Sequence, residues 1–189
     1  MATITATTFT INDGTTITTA DNTDTLTLVS TDADALVGPN LNFYRNSSSP
    51  ADGDLMGQIK FTGESSGSGI HTYGSIVMEN NGVTDGQEQG KIKFNISMPD
   101  GALANVFNID RTEVNINEDS EDLDFRVESN GNTHMLFVDG GNNKVGIGES
   151  ANAPMGTLHI KSADSGDTAI DSNNDDLVIE NDNHAGITI

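Results

Sequence analysis

The stretch "GKIKFNISM", Gly90–Met98, carries an apolar side chain at every second position from Ile92 onward. Lys, Asn and Ser occupy the positions between, so polar and apolar side chains alternate strictly. Successive side chains of a β-strand point to opposite faces, whereas a helix repeats its apolar positions every three or four residues. The stretch therefore predicts a strand with one apolar face.

The same alternation recurs in short bursts along almost the whole chain, and helical spacing is absent over any useful length. Each burst is bounded by Asn, Asp, Gly or Pro, the residues that favour turns. The other bursts are "TLTLVS" (Leu26, Leu28), "LNFYR" (Leu41, Phe43), "GQIKFTG" (Ile59, Phe61), "VNIN" (Val114, Ile116), "LDFRV" (Leu123, Phe125, Val127), "TLHIKS" (Leu158, Ile160) and "GITI" (Ile187, Ile189). The sequence therefore predicts an all-β fold of short antiparallel strands and hairpins.

Three turn sequences predict tight hairpins. Residues 139–141, "DGG", "MPDGAL" (Met98–Leu103) and "NDGT" (Asn12–Thr15) each contain Asp-Gly. This pair favours two-residue turns with positive φ, which glycine adopts without steric cost. We expect the glycines to serve the turns in this way.

Composition divides the chain into three predicted segments. Residues 1–38 are rich in Thr and Asp and poor in apolar side chains. Residues 39–110 contain the longer strands and predict a compact, sandwich-like β-meander. Residues 111–189 contain short strands between loops and predict a repetitive β-hairpin shaft. Because the final "AGITI" reads as part of a strand, we expect the natural polypeptide to continue beyond Ile189.

The chain is poor in large apolar side chains. Only 34% of its 189 residues are hydrophobic, 5% are aromatic, and Trp is absent. Short strands with so few large side chains bury too little surface in one copy to offset the entropy of ordering the chain. We therefore expect folding to be coupled to assembly, with several copies sharing a narrow core.

The net charge of −21, from 29 acidic and 8 basic side chains, limits the possible partners. A strongly negative surface repels phosphates and anionic lipids, so we expect no binding to nucleic acid. No apolar run approaches the ~20 residues of a membrane span, so no membrane insertion is expected. The chain has no Cys, which excludes disulfides.

Residues 146–151, "GIGESA", match the G-x-G-x-x-G/A pattern of a dinucleotide-binding turn. That turn needs a helix after it, because the helix N-terminus binds the pyrophosphate. Pro154 and Gly156 break any such helix, and an alternating strand follows. We therefore expect no cofactor. Gly146 and Gly148 share one strand face instead, where the missing Cβ atoms let another backbone approach closely.

Two acidic clusters and four histidines are the candidates for a metal site. The clusters, residues 117–124 and 171–183, lack the EF-hand spacing that brings about six to eight oxygen atoms together. The histidines, which are isolated from one another, are His71, His134, His159 and His184. The sequence predicts solvated turns and ordinary histidines, and no metal ion.

No catalytic residue is predicted either. An enzyme that cleaves polysaccharide needs two carboxylates roughly 5–10 Å apart, and nothing singles out one pair among the many Asp and Glu residues. Aromatic platforms for sugar rings are scarce, since Tyr44 and Tyr73 are the only tyrosines. We expect a protein that is not an enzyme.

Asn132–Gly166, "NTHMLFVDGGNNKVGIGESANAPMGTLHIKSADSG", resembles a segment of many tailed-bacteriophage fibre proteins. There an "LxVD…G…VGIG…SP…TLHV" pattern precedes further repeats and often a C-terminal self-cleaving chaperone domain. "SSSPADGDLMGQIKFTGE" (Ser47–Glu64) and "INEDSEDLDFRVESNGNTHMLFVDGG" (Ile116–Gly141) also resemble marine phage fibres. The likeness extends from about Leu36 to the C-terminus, with "ESANAP" in place of the usual "SP".

The resemblance implies a structural virion protein, a tail fibre that forms a parallel, intertwined and elongated homotrimer. Residues 1–38 would attach to tail, baseplate, adaptor or portal proteins, and a tip outside this chain would bind the host cell-surface receptor. Assembly would take place in the host cytoplasm. The alternatives are a capsid decoration or head fibre and a polysaccharide-depolymerising tailspike. A secreted adhesin would need an export signal, which "MATITATTFTI" does not show.

Overall fold

The computed structural model describes residues 11, 13–148, 154–166, 176–182 and 184–185. Over these residues the chain forms ten β-strands and no helix, which confirms the all-β prediction. The described part of the chain therefore contains no helix that is long and apolar enough to cross a membrane. The chain divides into two compact units, Met1–Phe43 and Tyr44–Ile189, and all ten strands lie in the second.

Sheet 1 is an antiparallel meander in which neighbours in sequence are neighbours in space. Its strands are β1 (Leu55–Glu64), β2 (Ile70–Gly82), β3 (Gln89–Ser97), β4 (Leu103–Ile109) and β5 (Val114–Ile116). Antiparallel neighbours need only a short turn between them, which the polar stretches supply. The alternating bursts around Ile59, Ile92 and Val114 thus form strands as predicted.

Sheet 2 is mixed. Its strands are β6 (Phe125–Val127), β7 (Leu136–Asp139), β8 (Lys144–Ile147), β9 (Leu158–Lys161) and β10 (Leu177–Glu180). The order is β10-β9-β8-β7-β6, with β6, β7 and β8 antiparallel as predicted. However, β8, β9 and β10 pair in parallel. Parallel neighbours need connections longer than a hairpin turn, so this part of the sheet differs from the predicted hairpins.

The hairpin between β7 and β8 forms, although its glycines have a different role from the one predicted. The positive φ of this turn, 57°, belongs to Asn143. A Cβ on Gly140 would lie 2.5 Å from the carbonyl oxygen of Leu123, and one on Gly141 would lie 2.5 Å from a carboxylate oxygen of Asp122. These glycines therefore permit close approach. In the hairpin between β3 and β4, Gly101 has the predicted positive φ, 85°.

Two predicted strands do not form. Leu26 and Leu28, like Leu41 and Phe43, lie in extended or irregular backbone with exposed side chains. Alternation gives a segment an apolar face, but a strand also needs a hydrogen-bonded neighbour, and the chain provides none there. The predicted "GITI" strand, Asn12 of "NDGT" and residues 171–175 and 183 of the acidic cluster 171–183 lie outside the described residues.

Burial is inverted relative to an ordinary globular core. The apolar side chains that are buried in the described chain are those of Val77, Ala104, Phe137 and Pro154. The buried polar or charged residues, which are more numerous, are Ser75, Asn108, Asp139, His159 and Glu180. Most large apolar side chains of sheet 1 keep a substantial part of their surface in water. Backbone pairing and buried polar contacts, rather than a private apolar interior, hold this subunit in shape.

Candidate functional site

Three rows of cross-strand partners form one side of sheet 1, which we call the apolar face. The rows are Ile59, Ile76, Phe94, Phe107 and Ile116; Gly57, Met78, Ile92, Ile109 and Val114; and Phe61, Gly74, Ile96 and Ala104. Directly opposed residues of antiparallel strands point to the same side of the sheet. The apolar face therefore crosses the whole sheet without a charged or hydrogen-bonding side chain.

The apolar face is open to solvent. Phe61 is 57% exposed, Ile96 is 50% exposed and Val114 is 63% exposed. At the centre of the face, the rings of Phe94 and Phe107 pack with centroids 5.5 Å apart and planes tilted by 56°. The packing of neighbouring side chains within one sheet therefore does not remove this face from water.

The opposite side of sheet 1 holds the charges. The Asn95 Nδ2 atom donates a hydrogen bond to the Ser75 hydroxyl at 3.1 Å. Lys93 forms an ion pair with Glu79, and the Lys91 ammonium lies 3.7 Å from a carboxylate oxygen of Asp110. In a soluble antiparallel sheet the apolar side is normally covered and the polar side is solvated. Sheet 1 leaves its apolar side in water instead.

A buried polar cluster joins the parallel strands β9 and β10. His159 Nε2 lies 3.0 Å from Glu180 Oε2, and both side chains are almost fully buried. The other oxygen, Oε1, accepts hydrogen bonds from the Ser165 amide at 2.7 Å and its hydroxyl at 3.1 Å. The Lys161 ammonium lies 3.5 Å from Oε2. The carboxylate of Glu180 thus organises the cluster.

The connectivity of this cluster differs from that of a hydrolytic triad. In a triad the histidine lies between the serine and the acid, and takes the proton from the serine hydroxyl. Here Glu180 lies between Ser165 and His159, and His159 Nδ1 accepts a hydrogen bond from the Met155 amide at 3.3 Å. Both ring nitrogens are engaged with groups other than Ser165. The arrangement suits a structural role, in which the cluster links β9 to β10.

The electrostatics of Glu180 agree with a structural role. Burial raises its pKa, but the hydrogen bonds from Ser165, the charge of Lys161 and the contact with His159 together outweigh burial. The pKa of Glu180 therefore lies below its usual value, and the group is ionised at neutral pH. This pair was not predicted, because nothing in the local pattern of "TLHIKS" or "DLVIEN" links His159 to Glu180.

Gly148 permits close packing, as predicted for the glycines of "VGIG". It has a φ of 79°, and a Cβ at this position would collide with the carbonyl oxygen of Lys161 on β9. Gly146 is buried on β8, between Phe137 of β7 and His159 of β9. Residues 149–153, which follow these glycines in sequence, lie outside the described residues, and from Pro154 the described chain leads into strand β9.

The acidic cluster 117–124 serves the fold. Glu118 accepts a hydrogen bond from Asn108 Nδ2 at 3.3 Å, and Asp119 accepts one from the Asn105 amide at 2.6 Å. Asp124 accepts one from the Gly140 amide at 3.0 Å. These carboxylates accept hydrogen bonds from backbone and side-chain amides, and all three residues remain exposed, as expected for solvated turns. Within the described residues, no group of three or more His, Asp or Glu side chains is arranged to hold a metal ion.

The four histidines lie in different environments. The His71 ring lies 2.7 Å from the Ser97 hydroxyl, and the His134 ring packs edge-on against Phe137 with centroids 4.9 Å apart. His159 is buried, and His184 is exposed. The described structure does not bring them together as a ligand set.

Open clefts lie in the second compact unit, among them two that are lined by charged side chains. One, of about 350 Å³, is lined by Glu121 and Asp139, and the Asp139 carboxylate accepts hydrogen bonds from Asn142. The other, of about 400 Å³, lies beside Tyr44 and Arg45. The Arg45 guanidinium lies 3.1 Å from an oxygen of Asp54 and donates a hydrogen bond to the Leu55 carbonyl at 3.1 Å. Asp139 and Arg45 are therefore engaged within the chain.

Comparison of the chain with protein-family models, curated proteins and solved structures gave no match. The features that bear on function are therefore those of the chain itself. They are the exposed apolar face of sheet 1, the buried cluster between β9 and β10, and the sequence resemblance described above.

Proposed function

We propose that this chain is a structural component of a tailed-bacteriophage virion, a tail-fibre subunit that acts as a homotrimer. In this role it positions a distal tip that binds the host cell-surface receptor. The observation that carries the proposal is the inverted burial: few apolar side chains of the described chain are buried, while the apolar face of sheet 1 leaves side chains such as Phe61, Ile96 and Val114 in water. A subunit of this kind needs copies of itself to complete its core.

The energetics favour shared burial. Each 100 Å² of apolar surface removed from water contributes about 2.5 kcal/mol. A typical domain is stable by only ~5–15 kcal/mol, so covering a few hundred Å² per subunit changes whether the subunit is folded. Folding and association of the subunits would then be coupled in one equilibrium, which depends on protein concentration.

Residues 1–38 provide the proposed attachment segment. Those of them that the structure describes form no strand, and apolar side chains such as Leu26, Leu28 and Leu36 are exposed. Exposed apolar side chains without a sheet partner suit a segment that completes its structure on another protein. The proposed partners are tail, baseplate, adaptor or portal proteins of the virion.

Two measurements test this function. Sedimentation equilibrium should give a mass three times that of the 19.9 kDa chain, and circular dichroism should show that dilution to the monomer also removes the β-sheet signal. A monomer that stays folded on dilution would contradict the homotrimer.

Immunogold labelling of the phage particle should place the protein on the tail. Label on the capsid would identify a head fibre or decoration protein instead. Release of reducing sugars from host envelope polysaccharide by the purified protein would indicate a depolymerising tailspike.

A further inference from the structure

We infer that the apolar face of sheet 1 is the surface on which a second copy of this chain packs. The inference rests on the proposed homotrimer and deepens it, because it assigns the subunit contact to one side of one sheet.

The apolar face is large enough for a subunit interface. Seven of its side chains are at least 40% exposed, namely Ile59, Phe61, Met78, Ile96, Ile109, Val114 and Ile116. These seven side chains come from all five strands and form one contiguous apolar patch, with the half-buried Phe94 and Phe107 at its centre. Contiguous exposed apolar patches of this kind mark interaction sites.

Charge favours a second copy through this face. Each chain has a net charge of −21, so two copies repel one another over most of their surfaces. The apolar face has no charged side chain in its three rows, while Lys60, Glu79 and Lys93 lie on the other side of the sheet. Contact through the apolar face desolvates no charge. A basic partner would be drawn to acidic surface elsewhere.

Sheet 2 is the weaker candidate. Its own apolar rows also cross five strands and are Phe125, Val138, Val145, Leu158 and Leu177, and Val127, Leu136, Ile147, Ile160 and Ile179. The strands that carry them have only three or four residues each, against seven to thirteen in β1 to β4. The apolar face of sheet 1 also contains three phenylalanines, and aromatic residues are enriched in interface cores. The extent and the aromatic content both favour sheet 1.

A matched pair of substitutions distinguishes the two sheets. Ile96, on the apolar face, is 50% exposed, and Leu177, on sheet 2, is 48% exposed. Ile96→Asp would bury an unpaired carboxylate between copies and should raise the dissociation constant about 100-fold or more. Leu177→Asp should leave the trimer mass unchanged. Sedimentation equilibrium measures both.

A labelling experiment covers the case in which both variants dissociate or misfold. The chain has no Cys, so Ile96→Cys and Lys60→Cys each create one site for pyrene maleimide, on opposite sides of sheet 1. Excimer fluorescence is expected from Ile96→Cys and not from Lys60→Cys. Excimers from Lys60→Cys alone, or dissociation by Leu177→Asp with Ile96→Asp still trimeric, would overturn this inference and leave the homotrimer standing. A monomeric wild-type chain would overturn both this inference and the proposed homotrimer.

Discussion

His159 Nε2 on β9 lies 3.0 Å from Glu180 Oε2 on β10, and this contact lies within the most deeply buried polar region of sheet 2. The two strands are parallel, with Lys161 opposite Glu180. Because buried polar groups are costly unless they are paired, the cluster fixes which residues of the two strands lie side by side.

Glu180→Gln is expected to lower the free energy of unfolding at pH 7 by about 1.5–3 kcal/mol, the value of hydrogen bonds to a charged group. The folded pKa of Glu180 lies below its ordinary value of 4.5. The ionised group therefore stabilises the folded state above pH 4.5, and this contribution is lost as the pH falls through the folded pKa. The difference between wild type and variant should shrink over that range, in denaturant titrations at one protein concentration.

Glu128→Gln is the matched control. Glu128 pairs with Arg126 at 2.6 Å, but both side chains are about half exposed. Exposed ion pairs contribute ~0–1 kcal/mol, so the control should differ little from wild type at any pH. An equal loss in both variants would remove the special role assigned to Glu180.

Gly148→Ala is expected to destabilise the protein through two effects, its φ of 79° and a clash with the Lys161 carbonyl. Gly53→Ala separates them, because Gly53 has a φ of 86° and a Cβ added there would have no neighbouring atom within 4 Å. The dihedral strain alone costs about 1 kcal/mol, so Gly53→Ala should lower the free energy of unfolding by about that amount. Gly148→Ala should lower it by clearly more. Thermal unfolding followed by circular dichroism provides the comparison, and equal losses would show that the close approach of β9 is unimportant.

Glu118→Ala should destabilise sheet 1 by about 1–3 kcal/mol, the cost of leaving a buried polar group unsatisfied. Glu118 Oε2 accepts the hydrogen bond from Asn108 Nδ2, and Asn108 is buried. Glu118→Gln keeps an acceptor oxygen and should retain most of the stability. If chemical denaturation gives the same loss for both variants, the charge of Glu118 rather than its hydrogen bond is what matters.

The Asp110 carboxylate should titrate with a pKa of about 2, because the Thr112 hydroxyl and amide each donate a hydrogen bond to it at 2.7 Å. Thr112→Val removes the hydroxyl, so the pKa should rise towards 3.8. Thr112→Ser keeps the hydroxyl and should leave the pKa low. Carbon-13 NMR of labelled aspartate measures it, and an unchanged value in Thr112→Val would refute the assigned cause.

Alternation predicted the strands well where a partner strand lies nearby in sequence. Ile92 and Phe94 show this, because β2 and β4 flank β3 and short turns bring them there. The same pattern at Leu26 and Leu41 gave no strand. Alternation with a two-residue period indicates which face of a sheet each side chain would occupy. It does not indicate whether a second strand lies close enough to form backbone hydrogen bonds.

The cluster around Glu180 was beyond sequence reasoning for a related reason. His159 and Glu180 meet only because β9 and β10 are parallel, and the sequence between them predicts neither their direction nor their register. The glycines near Asp139 were predicted to serve turn geometry, whereas the backbone of Leu123 lies close to Gly140 and the Asp122 carboxylate lies close to Gly141. Contacts between residues that are distant in sequence leave no local periodicity from which they could be predicted.

The parallel stacking of β8, β9 and β10 has a consequence for how this chain can change over evolutionary time. Val145, Leu158 and Leu177 occupy one common level although the intervening connections, residues 148–157 and 162–176, differ in length. Each unit of one connection and one strand therefore widens the sheet by one inter-strand spacing of about 4.8 Å. Whole units of this kind could be duplicated or deleted, and the connections could change in length, without altering the register of the remaining strands.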